Sequence, residues 1–251
     1  MTNDFEYRLQ KITTIIKQPF LDAGFYIYKT KKKEFIFHRE INGILQEVGW
    51  GWGKDYGQDT IGYDGYIFVP AIKQITSAFN ATITEDVGVM FKFEERNTEK
   101  FSFHRNNLNG GDWNKVAQLF TDEEQLSKAI STYQDILPNH FIPMLNKYNS
   151  IEGMANGIIF NGDWGDVKMC FHNDFQGGGA DGINNILILA YLSNKIELAE
   201  KIYTMWLGNA EKDLPKRLLE HGAEFSLRLK NWPVLITRLN NFLKDNIHQW
   251  Q

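Results

Sequence analysis

Apolar residues recur at three- and four-residue intervals from the start of the chain. Phe5, Leu9, Ile12, Ile16 and Phe20 mark one face of a helix over 4–22. Asn3 and Glu6 have capping-box spacing, and Gly24 is placed to stop the helix. The period then shortens to two. FYIY at 25–28 is rich in β-formers, and EFIFHRE, Asn42-Gly43 and ILQEVGW follow. Asn-Gly between two β-rich runs marks a two-residue hairpin turn, which fixes the register. Ile41 should face Ile44, Arg39 Gln46, Phe37 Val48 and Phe35 Trp50 on one face. His38 should face Glu47, and Ile36 Gly49, on the other. YIFVP at 66–70 reads as a further strand ending at Pro70. VGVMFKF and KFSFHR, joined by a polar stretch, read as another hairpin in which Val87, Val89, Phe91 and Phe93 share a face.

After Asn109-Gly110-Gly111 the pattern becomes helical. Thr121 and Glu124 form a capping box, and Leu126, Ile130, Tyr133 and Leu137 make a stripe that Pro138 should end. Helices follow near 139–148 and 150–159, then a Gly/Asp-rich break with a short strand at 167–171. Asn194 with Glu197 should cap a helix ending at Gly208, and a last helix runs over about 232–247. ILILAYLSNKIELAEKIYTMWL resembles one helical-repeat unit, but no second copy follows at the spacing of about 34 residues that an array needs. The fold class is α+β. An N-terminal helix with an antiparallel β-sheet occupies 1–108, and a mostly α-helical half occupies 109–251. No Pro- or Ser-rich linker separates the two, so they can share one core.

Charge and composition remove several function classes. The net charge of −4 argues against general nucleic-acid binding and suits a basic protein partner. The one basic cluster, Lys29 with Lys31, Lys32 and Lys33, is followed by Glu34 and reads as a solvated hairpin end. The single cysteine, Cys170, excludes a disulfide framework and a cysteine zinc site within one chain. The longest apolar run, ILILAYL at 186–192, is too short to span a bilayer, and the start lacks a signal-peptide apolar region. A cytoplasmic location without membrane contact is the expectation. Aromatic residues make up 14% of the chain, which serves either a core or a binding surface.

The stretch GWGWGKDYGQDTIGYDGY at 49–66 holds six glycines and five aromatic residues. Its first part continues a strand, with Trp50 and Trp52 on one face and Gly49, Gly51 and Gly53 on the other. The bare glycine face admits another backbone or a flat ligand, although helix packing or a bulge is the more ordinary use of such space. From Lys54 to Gly65 the pattern reads as a mobile loop carrying Tyr56 and Tyr63. Trp52, Tyr56 and Tyr63 are therefore candidates for a recognition surface.

Other candidates are polar. Arg39 opposite Gln46 interrupts an apolar face. The pair either binds a carboxylate or backbone segment, or is a buried pair orienting helix termini. His38 opposite Glu47 has the residue types of an acid–base pair, though a solvated cross-strand contact is commoner. GGGADG at 177–182 matches G-x-G-x-x-G, so Gly177, Gly178 and Gly179 are weak anion-binding candidates. A dinucleotide site also needs a second parallel strand, and here another helix follows. Cys170, His172 and Asp174 alternate along one possible strand, but neighbouring side chains on one strand rarely meet in catalytic geometry. No spacing suggests a metal site or cofactor, and no residue is assigned a catalytic role.

The segments Gly24-Phe25, Phe35-x-Phe37-x-Arg39 and Gly43-Ile44-Leu45-Gln46 resemble an uncharacterised bacterial domain family with a GF…F-x-R…G-x-x-Q core after an N-terminal helix. The stretch from His140 to Leu145 and Ser150-Ile151-Glu152 resemble that family's helical segment. The resemblance covers residues 5–155. It implies no catalytic residues, and it implies an association with toxin–immunity systems. The expected function is non-enzymatic protein binding. The alternative is a small-molecule or carbohydrate-binding domain that uses the aromatic loop.

Overall fold

The computed structural model describes residues 4–31, 33–83, 100–103, 118–158, 175–176, 182–220 and 223–251. The chain is α+β, and its contacts divide it into two units. The first comprises Met1–Phe68, Ser102–Ser150 and Asn173–Gln176; the second comprises Val69–Phe101, Ile151–His172 and Gly177–Gln251.

The first unit opens with α1 (Asp4–Asp22), whose buried face is Leu9, Ile12, Ile16 and Phe20. Gly24 ends it at φ +83°, a conformation glycine adopts without strain, while Phe25 N–H donates back to Phe20 O at 2.9 Å. Four antiparallel strands follow: β1 (Tyr26–Lys31), β2 (Glu34–Ile41), β3 (Ile44–Asp55) and β4 (Gln58–Phe68). The Asn42-Gly43 turn has φ +48° and +79°, and all six cross-strand pairs expected from it are present. Short strands β5 (Lys100–Phe103), β6 (Gln118–Leu119) and β7 (Phe175–Gln176) complete the order β1-β2-β3-β4-β5-β7, with β6 also on β4. β5 overlaps the expected strand KFSFHR. VGVMFKF, the strand at 167–171 and Asn3 lie outside the described residues.

One face of this sheet carries the core. Phe20 of α1 stacks on Phe37 at 4.7 Å and meets Trp50 edge-on at 6.2 Å. From the helical side, Tyr133 of α3 (Glu123–Ile136) meets Trp50 at 5.3 Å. Phe141 lies 4.9 Å from Tyr63. Each such ring removes 150–250 Å² of surface from water, roughly 2–3 kcal/mol per side chain.

Several helix boundaries differ from the pattern-based ones. The N-cap of α3 is Asp122 rather than Thr121: its carboxylate accepts from Gln125 N at 2.8 Å, and Gln125 Oε1 accepts from Thr121 N. The Thr121 hydroxyl instead accepts from Asp59 N, which ties α3 to β4. Pro138 does not end the helical path. The chain widens into a π-type turn over Leu137–Phe141 and continues as α4 (Ile142–Lys147). The strand expected at 66–70 is the end of β4, which stops at Phe68 rather than at Pro70. Pro70 sits at the first turn of α2 (Pro70–Ala81), where proline's missing N–H costs nothing.

In the second unit, α2 buries Ile72, Ile75 and Phe79, and α5 (Ile151–Asn156) buries Met154 and Ala155. Helices α6 (Gly182–Leu192), α7 (Ile196–Glu220) and α8 (Ala223–Asn246) also belong to it. α7 runs through Gly208, where a lone glycine costs only about 1 kcal/mol. Asn194 lies at φ +57° in the turn between α6 and α7, so it terminates one helix rather than capping the next.

Three of these helices share one polar knot. The Tyr191 hydroxyl lies 2.8 Å from Glu200 Oε1 and 3.0 Å from Asn240 Oδ1, and Lys244 Nζ is 2.8 Å from the same Glu200 oxygen. Burial alone would raise the Glu200 pKa, but the bonds from Lys244 and Tyr191 outweigh it and hold the carboxylate below its ordinary range. The unfolded chain therefore binds this proton more readily than the folded one. The knot's contribution is complete above the ordinary glutamate range and is lost as pH falls through the lowered value. Thermal melts across acidic pH should show this loss in the wild type, and Glu200→Gln should flatten that part of the profile. Parallel profiles would refute the linkage. No helix among the described residues is long and apolar enough to cross a membrane.

Candidate functional site

Arg39 and Gln46 meet as the register requires, and both are buried. Arg39 donates from Nε (3.0 Å) and Nη2 (2.6 Å) to Gln46 Oε1, and from Nη1 to Ala23 O at 2.9 Å. Ala23 directly follows the last residue of α1. Gln46 Nε2 donates to Leu145 O (2.7 Å) and Tyr148 O (3.0 Å), at the end of α4. A helix leaves its last carbonyls without internal partners. This pair supplies the missing donors to α1 and α4 at once. The guanidinium also lies 4.4 Å over the Phe25 ring, and its burial lowers its pKa. Of the two readings of this pair, the geometry has the form of the second, a buried link between helix termini.

The opposite sheet face holds a different cluster. His38 Nε2 is 2.7 Å from Glu47 Oε2. The Tyr28 ring lies parallel over the imidazole at 4.0 Å, and Tyr26 meets it edge-on at 6.1 Å. Tyr26 pairs with His38, so alternation places Tyr26 and Tyr28 on this face, and a bulge between Ile27 and Lys29 leaves Tyr28 as the extra residue of β1. His38 is consequently buried, which corrects the expectation of a solvated contact.

The stretch 54–65 is not a loop. β3 runs to Asp55, Tyr56-Gly57 makes a tight turn, and β4 starts at Gln58. Trp52, Tyr56 and Tyr63 are not brought together. Tyr63 is buried in the aromatic core, and Trp52 is half-buried with its ring 6.0 Å from Phe35. Tyr56 alone projects, fully exposed at the hairpin tip. Position 56 faces outward because it occupies the turn. The glycine face stays open at two of its three positions: a Cβ at Gly53 would meet nothing within 4 Å, and one at Gly51 only Lys33 O at 3.7 Å. At Gly49 the Glu34 carboxylate closes in to 3.3 Å. Among the described residues no helix fills that space, in contrast to its more ordinary use.

Gly177, Gly178 and Gly179 lie outside the described residues, as do Cys170, His172 and Asp174. A helix does begin directly beyond that segment, at Gly182. Comparison with family models, curated proteins and solved structures finds no match to this chain.

Proposed function

We propose that this chain is a non-enzymatic protein-binding domain and that Tyr56 is its aromatic anchor. The observation that carries the reading is the backbone at the hairpin tip. Tyr56 sits at φ +48° and Gly57 at +82°, nearly the same conformation as Asn42-Gly43 in the first hairpin. Asparagine tolerates that left-handed region, whereas a bulky ring there costs about 1 kcal/mol or more. The ring gains nothing in return from packing, since it is 100% exposed. Strain held at a solvent-facing residue points to a use outside the fold. Tyrosine is a preferred interface anchor because its ring is large and loses little entropy on burial.

The partner fitting this surface is a basic protein, such as a toxin domain. Asp55 beside the tip and Glu40 and Asp64 on the sheet are exposed carboxylates, in keeping with the net charge of −4. The small-ligand alternative drew on an aromatic loop at 54–65, and that stretch is a hairpin.

Tyr56→Asn tests the anchor without risking the fold. Denaturant titration should show the variant more stable by about 1 kcal/mol. Affinity capture from the source cells should retain a specific protein on the wild type and lose it on the variant. Equal capture by both would sink the anchor.

A further inference from the structure

We infer that the outer edge of β1, which has no second strand beside it among the described residues, takes an extended acidic segment of a partner protein as an added strand. The protein-binding reading supplies the context, but this contact is separate from Tyr56 and selects the opposite charge. β1 stands at the end of the sheet order and pairs only with β2 among the described residues. An antiparallel strand with one neighbour turns part of its N–H and C=O groups outward, unmatched. All six residues of β1 are exposed, including Tyr26 (47%), Ile27 (40%) and Tyr28 (59%).

The bulge after Ile27 divides this edge into an apolar part, Tyr26 to Tyr28, and a basic part that starts at Lys29. Lys31 is matched by Glu34 at 2.6 Å. Lys29 and Lys33 are exposed and make no ion pair among the described residues. A lysine on an edge deters neutral and basic strands, so Lys29 on β1, with Lys33 in the turn beyond it, leaves an acidic strand as the permitted guest. A second copy of the chain is a poor guest. YIYKTK carries no carboxylate, so a β1–β1 contact leaves the lysines unmatched. Main-chain bonds would supply affinity, and the two halves would select apolar residues beside Tyr26–Tyr28 and carboxylates beside the lysines.

The test uses short synthetic peptides on the full chain, read by fluorescence anisotropy. One peptide alternates Glu with Val in its N-terminal half and Tyr with Val in its C-terminal half; a second has the reversed order. One of the two should bind saturably. Methylating its alternate backbone nitrogens should weaken binding at least tenfold, since several strand hydrogen bonds disappear together. The Lys29→Glu/Lys33→Glu variant should bind roughly tenfold more weakly, as two exposed ion pairs become repulsive. Tyr56→Asn should bind as well as wild type, which keeps this outcome independent of the hairpin-tip reading. Absence of binding by both peptides overturns the proposal. So does undiminished binding of the methylated peptide, because attraction would then be charge alone. Sedimentation equilibrium without peptide should show a monomer, and dimerisation abolished by Lys29→Glu/Lys33→Glu would assign the edge to a second copy instead.

Discussion

Gln46→Leu should destabilise the protein by about 3–5 kcal/mol, the largest single-residue loss expected outside the aromatic core. Leucine matches glutamine in size but removes four hydrogen bonds together. Two come from the Arg39 guanidinium, and two go to Leu145 O and Tyr148 O. The guanidinium then stays buried with Ala23 O as its one acceptor among the described residues, and the end of α4 loses its donor. Leaving a buried charge short of partners costs far more than the intact bond contributes. Arg39→Leu should cost less, because it removes the charge together with its need for partners. The double variant should be more stable than the sum of the two losses predicts, by more than 1 kcal/mol. Urea titrations of the four proteins measure this coupling. Additive losses would show that the two side chains act independently.

Much of this arrangement was legible in the sequence because local signals fixed it. Asn42-Gly43 set the hairpin register, and the register brought Arg39 to Gln46 without further assumption. The carbonyls that Gln46 serves come from residues 99 and 102 positions away, and no local pattern reveals such a partner. The second hairpin was hidden for two reasons. Its turn has Tyr56 where asparagine would signal, and its inward row reads Asp59, Ile61, Tyr63, Gly65, Ile67, so an acid and a glycine interrupt the alternation. Asp59 is tolerated inside because Arg8 Nη2 reaches its carboxylate at 3.4 Å. Tyr63 therefore reads as a loop residue in the sequence although it belongs to the core. Helix α2 had a readable signal, Pro70 followed by Ile72, Ile75 and Phe79, but proline serves equally as a strand terminator.

Trp50 separates volume from polarity in the same core. Its side chain is fully buried, within 5.3–6.4 Å of the Tyr133, Tyr63, Phe20 and Phe141 rings. Its indole N–H has no hydrogen-bond partner among the described residues. Trp50→Ala should cost about 3–5 kcal/mol, because the four elements that carry those rings cannot close over the missing one. Trp50→Phe should cost much less, about 1 kcal/mol. Phenylalanine gives up part of the ring volume, yet it also removes a buried donor whose desolvation is uncompensated. Chemical denaturation orders the three proteins directly. A phenylalanine variant as unstable as the alanine one would mean that the indole N–H is satisfied after all. The comparison also bears on the hairpin tip, since Trp50 pairs with Tyr63 across β3 and β4, the strands that hold Tyr56 in place. If that pair stiffens the hairpin, Trp50→Ala should weaken partner capture as well as stability, whereas Trp50→Phe should leave capture intact.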